Sequence, residues 1–211
     1  MKYHLEAAVI LLAALVCVTA PAFAQDNGPK SAALKIPAFG AGLTLGITSA
    51  LTTVEGSGLL ADGGGLEIGG LAGFYPLLFG EAGVEAMRFD LTAESDKAAN
   101  QRVRVEMFGY YAGGGVGLPL DGGAIGFRYR IQRKSLVKLQ IENRDTGETD
   151  VFRDRVTRRS YFIFLALGGK EGKGRNPGNW LELGLRYDDV DKNIFLISDV
   201  LGAYARALFQ F

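Results

Sequence analysis

Apolar and polar residues alternate with a period of two along much of this chain, which predicts strands rather than helices. The clearest run sets Ile125, Phe127, Tyr129 and Ile131 against Gly126, Arg128, Arg130 and Gln132. Another sets Leu43, Leu45, Ile47 and Leu51 against Thr44, Gly46, Thr48 and Thr52. Eight segments have this character. The first runs from about Phe39 to Thr53, the second from Leu66 to Phe74 and the third from Leu78 to Leu91. Thr92 to Gln101 is polar and reads as a loop. The fourth begins at Arg102, with Val103, Val105 and Met107 alternating against Arg104 and Glu106, and the run Leu118 to Gly123 supplies a turn. The fifth starts at Ile125, and Asn143 to Asp150 is a polar tip. The sixth ends in Tyr161, Ile163, Leu165 and Leu167, and Gly168 to Asn179 links it to the seventh. There Leu181, Leu183, Leu185 and Tyr187 alternate with Trp180, Glu182, Gly184 and Arg186. Asp188 to Asn193 is the last loop, and the eighth strand runs to Phe211.

Composition agrees with strands. Glycine, at 30 of 211 residues, is roughly twice its average share, and a glycine inside a helix costs up to about 1 kcal/mol. The start of the chain reads differently. Lys2 precedes an apolar run from Ala7 to Ala20, and Ala22 and Ala24 stand where a signal peptidase reads small residues. The run is shorter than the roughly 18 residues of a membrane helix. Residues 1–24 are therefore expected to be a cleaved export signal, with Gln25 the new N-terminus, 25–38 a lead-in and 39–211 a single domain. Cys17 follows Val16 rather than the small residue expected before a lipidated cysteine, so no lipid anchor is predicted.

Cleavage would remove Cys17 and His4, the only residues of their kinds. The remaining chain would hold no disulfide, lack the usual zinc and copper ligands, and have no His- or Cys-based catalytic machinery. No catalytic residue, metal or cofactor is expected. Losing Lys2 and Glu6 also leaves 22 basic and 22 acidic residues, so no net field points to nucleic acid.

The chain closes on Leu208-Phe209-Gln210-Phe211, with Phe211, Phe209, Ala207, Ala205 and Ala203 on one face. An even number of alternating strands, an export signal and a terminal aromatic residue together resemble the small eight-stranded outer-membrane barrels of the OmpA and OmpX type. The resemblance spans nearly everything after residue 24 and rests on pattern rather than on a motif. It implies an all-β fold, an eight-stranded antiparallel up-and-down transmembrane β-barrel in the bacterial outer membrane. It also implies that Phe209 and Phe211 serve as a C-terminal signal to the assembly machinery, and that the protein is monomeric.

In such a barrel apolar residues meet lipid and polar ones face inward. That assignment puts Glu67, Glu81, Glu85, Glu106 and Glu182 in the lumen with Arg104, Arg128, Arg130, Arg186 and Arg206. Five against five can pair, as buried charges must, and this is expected to be a structural network. The third strand strains the scheme. With Glu81 and Glu85 inside, Arg88 and Asp90 point outward while Met87 and Phe89 turn inward. Either a bulge changes the phase near Ala86, or those residues stand above the lipid.

Between Arg133 and Arg159 the chain is heavily charged, which predicts a hairpin continuing beyond the membrane. Arg153, Arg155, Arg158 and Arg159 form a solvated wall there, or contact lipopolysaccharide phosphates. A structural or surface-interaction role without catalysis and without an open pore is expected. The other readings are a narrow channel and a soluble periplasmic barrel binding a small hydrophobic ligand. Outer-membrane lipid and lipopolysaccharide are the expected partners.

Overall fold

The computed structural model describes residues 39–54, 60–91, 101–120, 123–168, 179–191 and 197–211. The export signal and the lead-in expected from the sequence lie outside them. Eight strands follow one another: β1 (Gly40–Val54), β2 (Leu60–Phe74), β3 (Leu78–Leu91), β4 (Gln101–Leu120), β5 (Gly123–Asn143), β6 (Thr149–Gly168), β7 (Trp180–Val190) and β8 (Ile197–Gln210). Each pairs antiparallel with its neighbours in sequence, and β8 returns to β1 to close the barrel. Around the apolar belt, closure leaves no unpaired sheet edge, the condition for a sheet to stand in hydrocarbon.

The alternation read from the sequence is the alternation of the wall. On the lower part of the barrel Leu43, Leu45, Ile47, Leu66, Ile68, Val116, Leu118, Leu181, Leu183 and Leu185 point outward and are exposed. Thr44, Glu67, Glu81, Arg128, Glu182 and Arg206 point inward and are buried. Polar inside and apolar outside is the arrangement of a barrel solvated by lipid. Tyr129, Tyr161 and Tyr187 line up across β5, β6 and β7, with ring centroids 5.3 and 6.1 Å apart, as an aromatic row along the belt's upper edge.

Above that row the arrangement inverts. Ala50, Met87, Phe89, Val105, Met107, Val137, Leu139, Val156 and Val200 form a buried apolar cluster inside the barrel. Arg88, Asp90, Arg104, Glu106 and Lys138 stand on the outer wall at this height, all partly exposed. This is the pattern of a barrel in water. The third strand thus keeps its phase without a bulge, since its registers with β2 and β4 run unbroken. Its side chains change character because the surrounding solvent changes.

β5 does shift phase. In β5 the register with β6 breaks between Gln132 and Ser135, and Lys134 takes a left-handed conformation with φ 55°. The extra residue carries the inward set from Arg128, Arg130 and Gln132 to Ser135, Val137 and Leu139. Without it Lys134, Leu136 and Lys138 would face the core.

Several strands run longer than the hydrophobic pattern indicated. β2 begins six residues before Leu66, through the run Gly63-Gly64-Gly65. A Cβ at Gly63 would strike Phe89, and one at Gly65 would strike Met87, so glycine makes room there for the upper core. β7 continues to Val190, which takes Asp188 out of the expected loop and into the strand. β4, β5 and β6 reach 20, 21 and 20 residues, about twice what a membrane crossing needs. Their surplus forms the predicted hairpin, whose strands are joined by a short turn at residues 144–148.

Candidate functional site

Two surfaces carry the protein's charge, the lumen and the upper outer wall. In the lumen, Glu81 sits between three guanidiniums: Arg130 and Arg206 hydrogen-bond it closely, and Arg128 Nε lies 3.4 Å away. Glu182 accepts from Arg206 Nη2 at 2.7 Å, from Arg128 Nη1 at 3.0 Å and from the Tyr75 hydroxyl at 2.6 Å. Glu67 takes the remaining fork of Arg130, with Nη2 at 3.0 Å. Above this layer Glu85 receives Arg158, Arg186 and Gln132 Nε2, the last at 2.6 Å. Arg186 Nε donates to Asp188 at 2.7 Å.

Aromatic faces complete the packing. The Arg128 guanidinium lies 4.3 Å from the Phe162 ring centroid, and that of Arg130 lies 4.0 Å from Tyr111, which adds cation–π attraction to the ion pairs. Phe162 and Tyr204 reach from the charged layer into an apolar cluster below it, with Leu71, Tyr75, Phe79, Phe164 and Leu208, against which Trp180 packs. The charged layers are therefore enclosed between two apolar clusters. Carboxylates and guanidiniums share so many hydrogen bonds because each would otherwise be desolvated without compensation.

The network differs from the expected one at one member of each sign. Glu106 and Arg104 are not in the lumen. They stand on the outer wall, where Glu106 meets Lys138 at 3.5 Å and Arg104 donates to Asp90 at 3.1 Å. The inference from Val103, Val105 and Met107 assumed lipid outside, but at that height water is outside and the valines turn in. Asp188 and Arg158 take their places. Arg158 is 2% exposed and bonded to Glu85, so it is neither a solvated residue nor a lipopolysaccharide contact. Both were legible from parity: Arg158 shares the inward face of β6 with Ser160, Phe162 and Phe164, and Asp188 that of β7 with Glu182 and Arg186. The balance is preserved, with five buried acids and five buried arginines among the described residues.

The outer wall is uneven. Arg153 and Arg155 are exposed on β6. Arg159 is engaged with Asp189 at 3.3 Å and Asp191 at 2.6 Å, so its charge is already matched. On β3 and β4, Arg88, Arg102 and Arg104 converge on one carboxylate, Asp90, at 3.2, 3.8 and 3.1 Å. Desolvation works to raise the pKa of Asp90, but hydrogen bonds from Arg104 and Arg88 outweigh it and hold the carboxyl below the usual aspartate range. Three cations on one anion leave this wall positive. The sequence did not single out Arg88 and Arg102 as a pair, because only strand pairing brings residues 14 apart onto one partner.

No family model matches the chain, and neither does any curated protein. Solved structures do. Neisserial surface protein A superposes with a TM-score of 0.50 over 82% of this chain and 97% of its own, at 12% identity. The chain has the fold of an outer-membrane β-barrel. The attachment invasion locus protein Ail of Yersinia pestis, solved with the heparin analogue sucrose octasulfate, gives a TM-score of 0.49 at 12% identity, covering 82% of this chain and 99% of that one. The outer membrane protease OmpT of Escherichia coli gives 0.36 at 9% identity, covering 82% and 96%. The outward leucine belt and the buried charge layers put this barrel across a lipid bilayer, and its fold type is that of the bacterial outer membrane.

Proposed function

We propose that the protein is a closed, non-catalytic outer-membrane barrel that works through its outer surface. One observation carries this reading: the ten buried charged side chains engage one another between two apolar clusters, so the barrel interior is filled. Eight strands enclose a lumen just wide enough for side chains, whereas open porins use 16 to 18. Purified folded protein in a planar bilayer should give no stable porin-sized current. A sustained large conductance from well-folded protein would defeat the reading.

The part left to interact is the positive upper wall, where Arg88, Arg102, Arg104, Lys138, Arg153 and Arg155 suit lipopolysaccharide phosphates. In this reading the hairpin end faces outward from the cell. Phe209 and Phe211, at the opposite end, present the C-terminal strand to the assembly machinery, and the barrel acts as a monomer. An epitope inserted at Thr146-Gly147, in the exposed turn between β5 and β6, should be reached by antibody on intact cells. Detection only after the outer membrane is permeabilised would mean the opposite orientation.

A further inference from the structure

The outer wall carries a groove at the height where the apolar belt gives way to charge. It has a volume of about 650 Å³. Gly64 and Ala86 floor it, Ile47 and Leu66 flank one side, and Phe108 and Leu136 flank the other. The floor is low because two small outward residues lie on a diagonal: Ala86 of β3 sits between its partners Leu66 and Phe108, and Gly64 of β2 pairs with Arg88 in the row above. The upper rim is a row across three paired strands: Arg88, Glu106 and Lys138. The next position in that row, on β6, is Arg153.

The groove is thus amphipathic along its length. A lipid tail alone would be served anywhere on the leucine belt, and a bare anion would need no apolar trough. The rim also keeps donors in hand. Arg88 gives Nε to Asp90, at 3.2 Å, and Lys138 meets Glu106 at 3.5 Å. A guanidinium has five N–H donors and an ammonium three, so both cations retain capacity for phosphate oxygens. These pairs are partly exposed, and such pairs are weak enough to rearrange around a stronger partner. On this face Arg88, Arg102, Arg104, Lys138, Arg153 and Arg155 outnumber the acidic Asp62, Asp90, Glu106 and Glu142. The volume lies within the roughly 300 to 1,000 Å³ of pockets that hold small molecules.

We propose that this groove seats an acyl chain of a phosphorylated glycolipid, the lipopolysaccharide anchor, with a sugar phosphate bound by Lys138 and Arg88. The inference rests on the surface-interaction reading and gives it a defined site. The contact is specific to this face, and neutral phospholipid does not replace it.

The test uses the full chain, folded into vesicles of phosphatidylcholine with about 5 mol% lipid A, then extracted in mild detergent. Retained lipids are counted by mass spectrometry. Wild-type protein should retain lipid A about tenfold above its share of the vesicle. Ala86→Trp, which fills the floor and leaves every charge in place, should reduce that enrichment at least fivefold. The double variant Arg88→Gln, Lys138→Gln should do the same. If Ala86→Trp does not fold, Phe108→Ala, which removes a wall, must show the loss instead. Enrichment that survives in the groove variant, or equal retention of phosphatidylcholine, overturns the proposal. Binding of the deacylated bisphosphorylated disaccharide is measured in parallel and judges the wider reading separately. If the disaccharide binds and lipid A is not enriched, the groove is lost but the basic wall stands. If neither binds, both fall.

Discussion

Glu81→Ala should lower the unfolding stability of the barrel by about 3 to 5 kcal/mol, while Glu106→Ala should change it by less than about 1 kcal/mol. Both remove a glutamate that alternates with apolar neighbours in sequence, yet their surroundings differ. Glu81 is buried and holds Arg128, Arg130 and Arg206 together. Its removal leaves three guanidiniums short of a carboxylate where water has little room to replace it. Glu106 lies on the outer wall with a 40% exposed side chain and one partner, Lys138, at 3.5 Å. Water resolvates that ammonium at little cost. Equilibrium urea unfolding in detergent micelles or vesicles, followed by gel mobility without boiling, separates the two outcomes. Equal costs would mean that the lumen layer is wet or the phase of β4 is wrong.

The second large effect concerns which solvent each height of the wall meets. Leu183→Arg should destabilise the barrel by about 2 to 4 kcal/mol, the cost of a lipid-facing arginine near the bilayer centre. Leu183 points outward on β7, between Leu165 and Ala205 of the adjoining strands, with polar groups only behind it. Gln140→Arg, also outward but on the upper part of β5 opposite Arg104, should cost less than about 1 kcal/mol, the scale of cross-strand charge repulsion in water. Val105→Arg, inward at that same height and 1% exposed, should be severe, because it drives a charge into the upper apolar cluster. Folding into vesicles followed by urea titration measures all three. A soluble barrel would predict the reverse for Leu183→Arg, so a neutral result there would remove the transmembrane belt.

The contrast between Leu183 and Val105 marks the boundary between what could be read and what could not. Alternation is a property of the strand itself: successive side chains point to opposite faces, so the parity of Leu181, Leu183 and Leu185 against Glu182 and Arg186 is written in the residues. From this came the eight strands, the closed up-and-down order and eight of the ten lumen charges. Asp188 and Arg158 were legible by the same parity and were missed because a run of charges looks like a loop or a solvated hairpin.

Parity says which residues share a face, but not which face is inside. Val103, Val105 and Met107 alternate as cleanly as Ile125, Phe127 and Tyr129, yet the first set turns in and the second turns out. The deciding quantity is the height of each segment relative to the bilayer, set by how eight strands of unequal length align in one barrel. Nor does local sequence announce the bulge at Lys134, because its effect is to keep Val137 and Leu139 in a core assembled by other strands. The convergence of Arg88, Arg102 and Arg104 on Asp90, and the groove over Gly64 and Ala86, likewise exist only through strand pairing. The sequence by itself determined the strands and their two faces, because the two-residue period is local. The tertiary structure decided which face meets lipid, water or the lumen at each height, because that depends on register around the whole barrel.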